Sequence, residues 1–144
     1  MLTGRFGNTS RAPYIEATLS FPRLRVRSLV SFLVDTGADG SIIMPADSEN
    51  LGVDFAALTT PTISIGIGGE ARGFSEWGVL SFSDRRHIFS YSIELEIATP
   101  TNVNLWLPSL LGRDVLNRWR VVSDFTRNEV RCTPRTWDAR RKIL

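Results

Sequence analysis

The stretch Phe32-Leu33-Val34-Asp35-Thr36-Gly37-Ala38-Asp39-Gly40-Ser41-Ile42-Ile43-Met44 sets polar groups at the end of an apolar run. Phe32, Leu33 and Val34 draw the backbone toward a core, and the chain then presents a carboxylate, a hydroxyl and a residue without a side chain. An ionised carboxylate carried alone into low dielectric must find partners or take up a proton. Local folding does not explain such a carboxylate, so Asp35 is the first candidate for acid–base chemistry.

Other chemistries lack their parts. The single histidine, His87, begins an expected strand beside Arg85 and Arg86, has no evident carboxylate to orient it, and no Gly-x-Ser-x-Gly sequence exists. Cysteine chemistry would need the single Cys132 to meet that same histidine, and Cys132 falls within an expected strand. One Cys and one His cannot make a four-ligand structural zinc site. No loop spaces its aspartates as calcium requires, and no cofactor is expected. The run Gly66-Ile67-Gly68-Gly69-Glu70-Ala71 matches the letters of a dinucleotide fingerprint, which needs a helix directly afterwards. Arg72 to Gly78 instead holds two glycines and two aromatics without helical spacing.

The Asp35 stretch resembles the active-site loop of retropepsin-like aspartic proteases: apolar residues, Asp-Thr/Ser-Gly-Ala/Ser, two residues, Ser/Thr and further apolar residues. A second segment, Leu110-Leu111-Gly112-Arg113-Asp114-Val115-Leu116, is similar to the apolar-apolar-Gly-Arg-Asn/Asp-apolar-Leu element of that family, and a glycine-rich hairpin lies between the two. The resemblance spans about residues 13 to 132. It implies an all-β, retropepsin-like acid protease barrel with one or two short helices and one active-site loop per chain. It also implies an aspartic endopeptidase, in which two facing Asp residues hold one proton because like charges so close cannot both ionise.

No second Asp-Thr-Gly or Asp-Ser-Gly occurs in the chain. The resemblance therefore implies a two-fold homodimer, with the second Asp35 supplied by the other copy. Asp35, Thr36 and Gly37 take the catalytic places, Thr36 bonding to the opposite loop and Gly37 leaving room for substrate backbone. Ala38 and Asp39 fall at the cleft, and Ile65, Gly66, Ile67, Gly68 and Gly69 fall in the flap that closes over a peptide. Gly112, Arg113 and Asp114 support the loop from behind, with Arg113 paired to Asp39 through a planar fork that lysine lacks. Val34, Ile43, Ile67 and Leu107 are candidates for apolar surface near the pockets. The partners implied are a second copy and a peptide or protein substrate. A silent member that only binds peptide or dimerises is the alternative from another class.

The elements that must position these residues read mostly as strands. Pro13 to Ser20 and Leu24 to Val34 flank a turn at Phe21-Pro22-Arg23 and deliver Asp35. Pro45 to Gly52 fits a short helix with proline near its start and glycine past its end. Thr62 to Ile67 and Phe74 to Ser83 read as strands, and the resemblance assigns the glycine-rich hairpin between them, roughly Ile65 to Gly73, to the flap. His87 to Ala98 alternates cleanly, with Phe89, Tyr91, Ile93, Leu95 and Ile97 on one face. Val103 to Leu111 reads as extended, and Arg118 to Asp124 with Asn128 to Thr133 as a closing hairpin. In retroviral members the chain ends there, its termini interleaved in a dimer sheet, whereas here Pro134 to Leu144 continues.

The chain thus divides into an N-terminal arm (1–12), expected to be loosely held, a protease domain (13–133) and a basic tail (134–144). At 144 residues and 42% hydrophobic composition it is of single-domain size. A net charge of +2 does not by itself imply a nucleic-acid or membrane partner, and the tail is read as solvated. With a single cysteine, no apolar opening segment and no bilayer-length apolar run, the expected location is cytoplasmic.

Overall fold

The computed structural model describes residues 1–66 and 69–144. Its strands are β1 (Leu2–Phe6), β2 (Pro13–Phe21), β3 (Val26–Val34), β4 (Ile42–Ile43), β5 (Pro61–Gly66), β6 (Gly69–Ser83), β7 (His87–Ala98), β8 (Ser109–Leu111), β9 (Trp119–Asp124), β10 (Glu129–Pro134) and β11 (Ala139–Lys142). Two short helices, α1 (Pro45–Leu51) and α2 (Arg113–Leu116), and a 3-10 turn at Phe55–Ala57 interrupt them. Among the described residues no helix is long and apolar enough to cross a membrane.

Period-two alternation builds the sheet. In β7, Phe89, Tyr91, Ile93, Leu95 and Ile97 are buried while Ser92 and Glu94 face water, as the sequence pattern requires. Strands β6, β7, β4, β8, β3 and β2 are joined in that order, and β2 pairs back to β6, closing a six-strand barrel. Phe21, Phe32, Leu80, Phe82, Tyr91 and Leu111 are among the side chains fully buried in its core. Each such side chain contributes roughly 1.5–3 kcal/mol by leaving water.

Two parallel pairings set up the site. Strand β3 runs parallel to β8 with Val34 beside Leu111, so Asp35 and Gly112 leave the barrel at the same end. Short β4 then wedges between β8 and β7, which returns the chain after the Asp35 loop into the barrel wall. Helix α1 begins at Pro45 and stops at Gly52, whose φ of 79° is the left-handed conformation glycine adopts without penalty.

Three stretches differ from the sequence expectations. The arm expected to be loose contains β1, which lies between β10 and β2 with Leu2 in the core. Its alternation is short and its second inward position is Gly4, where a Cβ would sit 2.2 Å from the Tyr14 carbonyl oxygen, so hydrophobicity alone does not reveal it. The tail expected to be solvated contains β11, which pairs antiparallel with β7 although all four side chains are exposed. Trp137 packing on Phe89 (5.3 Å between ring centroids), and Asp138 bound by Arg118 and the Ser92 amide, bring it there. Finally, only Ser109–Leu111 of the expected 103–111 strand is extended. Asn104 folds the preceding residues into a loop by accepting from the Thr101 amide (2.8 Å) and donating to the Thr99 carbonyl (3.0 Å).

Candidate active site

The Asp35 loop starts from a ladder bond, the Asp35 amide donating to the Leu111 carbonyl at 3.0 Å. It then turns tightly, with Ala38 N–H donating to the Asp35 carbonyl (3.2 Å) and Gly37 N–H donating to Asp35 Oδ1 (2.9 Å). That second bond fixes the orientation of the carboxylate. A Cβ at Gly37 would lie 3.2 Å from the same oxygen, so a side chain there would crowd it. Among the described residues, Asp35 Oδ2 takes no hydrogen bond. The carboxyl group is half-buried in the single chain and sits at the rim of the core. The burial inferred from the preceding apolar run is therefore only partial in the single chain.

A second loop backs the first. The Arg113 amide donates to the Ala38 carbonyl at 2.9 Å, and its guanidinium reaches forward with one nitrogen on the Thr36 carbonyl (2.7 Å) and another on Asp39 Oδ1. The approach is close enough that a Cβ on Gly112 would fall 2.5 Å from the Gly40 carbonyl carbon and oxygen. Glycine is required there for space, its φ being ordinary. Asp114 accepts from both the amide and the hydroxyl of Ser41, at 2.9 and 2.7 Å, and from the Val115 amide at 3.0 Å. Ser41 Oγ in turn accepts from Gly112 N–H at 3.0 Å.

Two buried serines were not singled out from the sequence. Ser41 occupies the Ser/Thr place of the motif, and that was the signal available for it. Ser109 is fully buried, donates to Asp47 at 2.5 Å and accepts from the Met44 amide at 2.9 Å, holding the start of α1 against β8. No sequence pattern marks it, because its partners lie far away along the chain.

The structure thus brings together Asp35, Thr36, Gly37, Ala38, Asp39, Gly112, Arg113 and Asp114. The glycine-rich segment is a hairpin with Ile65 opposite Glu70 and Gly66 opposite Gly69, and Gly69 has φ 108°. Ile67 and Gly68 lie outside the described residues. No hydrogen bond links Ile65, Gly66 or Gly69 to the Asp35 loop among the described residues. Ile65 is 86% exposed. Of the pocket candidates, Ile43 is fully buried and Val34 nearly so, and both belong to the barrel core because their strands point them inward. Leu107 is exposed, together with Val103, Leu105 and Trp106, in the loop that Asn104 folds.

Comparison with known proteins bears on the sequence family and the fold. Residues 24–83 match the family model described as aspartyl protease. The crystal structure of a retropepsin-like aspartic protease from Rickettsia conorii superposes with a TM-score of 0.55 at 16% identity, covering 90% of this chain and 95% of that one. The EIAV protease complexed with the inhibitor HBY-793 gives 0.53 at 22% identity, covering 77% of this chain and 90% of that one. A search of curated proteins found no significant match. The family match over residues 24–83 supports a function of the aspartic-protease type, and the two structures share the fold. Residues 24–83 thus match the aspartyl protease family model, and over most of its length the chain has the fold of the two retropepsin-like structures.

Proposed function

We propose that the protein is an aspartic endopeptidase whose active form is a two-fold homodimer, with Asp35 of each copy forming one dyad. The observation that carries this reading is the state of the Asp35 carboxylate. One oxygen is fixed by the Gly37 amide while the other takes no hydrogen bond among the described residues, at the mouth of a loop braced by Arg113 and Gly112. A lone structural carboxylate has no need of such bracing.

In the dimer, two carboxylates at short range share one proton. The charged member takes a proton from a water, whose oxygen attacks the peptide carbonyl carbon, and the protonated member gives its proton to the carbonyl oxygen. The tetrahedral diol then collapses, the C–N bond breaks, and a proton passes from the dyad to the leaving amine. Thr36 links the two loops, and the Gly37 carbonyl accepts a substrate amide. Ala38 and Asp39 border the cleft, and the hairpin that pairs Ile65 with Glu70 and Gly66 with Gly69 closes over an extended peptide held by backbone hydrogen bonds. Gly112, Arg113 and Asp114 keep the loop in place. Cys132 is buried and unpaired, which suits a reducing compartment such as the cytoplasm.

The test is Asp35→Asn assayed on a mixed peptide library. Cleavage is expected to drop by at least about a hundredfold, the usual scale for losing a general acid or base, with sedimentation and thermal unfolding unchanged. Undiminished cleavage by the variant would leave only a binding or dimerisation role.

A further inference from the structure

Strand β11 buries none of its side chains, so removal of apolar surface from water does not account for its place on the barrel. Three of its four residues, Arg140, Arg141 and Lys142, are cations, and it runs antiparallel to the start of β7. Lys142 pairs with His87, and the Ile143 amide donates to the Arg86 carbonyl at 2.8 Å. Like charges on neighbouring strands repel, and such a concentration destabilises the compact chain unless an anion sits among them. The acids that flank these cations along the chain are already engaged. Asp84 accepts from the Arg86 and His87 amides, and Asp138 accepts from Arg118 and the Ser92 amide.

The strand register places hydroxyl groups between two of the cations. Thr18, Ser81, Ser90 and Ala139 are paired in turn across β2, β6, β7 and β11, so their side chains form one row on the outer face of the barrel. Thr18, Ser81 and Ser90 are half-buried. To one side of the row stands Arg141, paired with Ile88, and to the other stands Arg27 on β3, paired with Ser20. Both arginines are exposed. They wall a pocket of about 290 Å³ whose lining, among the described residues, holds no acidic and no aromatic side chain. Neither guanidinium has an acidic partner among the described residues. Arg140 also borders the pocket, but its guanidinium lies over the Trp137 ring at 4.7 Å.

The floor of the pocket can donate. The Ser81 and Ser90 hydroxyls share one hydrogen bond of 2.9 Å, which uses one of their two protons and leaves the other, with that of Thr18, for a ligand. Guanidiniums on both walls and hydroxyl donors below match an anion with three outward oxygens and close to two charges. A carboxylate, with two oxygens, is satisfied by one guanidinium fork. A single strand of nucleic acid is gripped by stacking its bases on aromatic rings, which this lining lacks.

We propose that this pocket binds a phosphate monoester, held from both sides by Arg27 and Arg141 and from below by Thr18, Ser81 and Ser90. The ester arrives either as a small free molecule or on a phosphorylated residue of another protein, and the same groups grip both. Arg27 precedes Asp35 by eight residues of extended chain, roughly 25 Å. The site is therefore separate from the Asp35 loop and stands whether or not the chain is a peptidase.

The test is calorimetric titration of the full chain at constant ionic strength, maintained with chloride. The probes are inorganic phosphate, a short phosphoserine peptide and the same peptide with unmodified serine. Saturable binding is expected for the first two and none for the third, with amide shift changes in the parent chain centred on Ser81 and Ser90. Arg27→Ala and Arg141→Ala should each weaken binding by about tenfold or more, the loss of one charge-assisted fork. Arg120→Ala, which removes an exposed cation from β9, should bind as the parent does. A phosphopeptide that binds more tightly than inorganic phosphate assigns the ester to a protein, and equal affinity assigns it to a small molecule. Binding of neither phosphate probe beyond chloride would overturn the site, as would undiminished binding by Arg27→Ala and Arg141→Ala. An equal loss in Arg120→Ala would overturn it too, by showing a diffuse attraction of any anion to a basic surface.

Discussion

Asp114 holds Ser41 across 73 residues of sequence by accepting from both its amide and its hydroxyl. The same hydroxyl accepts from the Gly112 amide, so three polar groups close a small circuit between the two loops that frame Asp35. Ser41 is 3% exposed and no water can replace its hydroxyl without opening the barrel end. Ser41→Ala leaves the Gly112 N–H without its partner, while Asp114 Oδ1 keeps the Val115 amide, and the orphaned donor costs about 1–3 kcal/mol. A drop in thermal unfolding temperature is expected, smaller for Asp114→Asn because an amide oxygen still accepts. Unchanged melting of Ser41→Ala would show that the circuit does not hold the loops.

Arg113 acts differently, because its Asp39 partner is 96% exposed in the single chain. A pair so open to water contributes no more than about 1 kcal/mol to folding. Its effect falls on position, since the same guanidinium also holds the Thr36 carbonyl. Arg113→Lys can make one of these contacts at a time. Its unfolding temperature should stay near that of the parent while kcat falls by roughly tenfold to a hundredfold, the scale of a catalytic group displaced by about an ångström. Equal losses of stability and activity would contradict this division.

Acid sensitivity should centre on Asp84. Its partial burial favours the neutral form, but hydrogen bonds from the Met1 amine and the Arg86 and His87 amides outweigh that and lower its pKa from 3.8 to about 2. A carboxylate with a depressed folded pKa adds stability that is present above the unfolded value and lost as pH falls through the folded one. Asp84→Asn should therefore melt below the parent at neutral pH, and the gap should close between about pH 4 and pH 2. A gap independent of pH would assign the loss to packing instead.

The barrel was legible where alternation is long and apolar. The strand from His87 to Ala98 needs only its own pattern, and the helix at Pro45 needs only its proline and Gly52. The Asp35 loop and the Gly112 segment were legible because their small residues are demanded by close contact, which leaves a mark in the letters. What escaped the sequence depends on distant partners. Strand β1 shows one strongly apolar inward residue, Leu2, and a glycine that fits only because Tyr14 lies against it. Strand β11 buries none of its side chains and is recruited by Trp137 and Asp138 just before it. The Val103 to Pro108 stretch reads as a strand by composition, yet Asn104 turns it into a loop through its own backbone neighbours. Ile43 and Val34 looked like pocket walls, and register sends them into the core.

The central claim is that neither copy cleaves peptide alone, and subunit mixing tests it most directly. Parent chain and Asp35→Asn are equilibrated at constant total concentration above the dissociation constant, and peptide cleavage is followed as the variant fraction rises. A shared dyad requires two intact Asp35 residues in one dimer, so at an equal mixture the rate should fall to about a quarter of its starting value. A straight-line decline to about half at that point would mean that each chain works by itself, and the paired-loop account would be wrong.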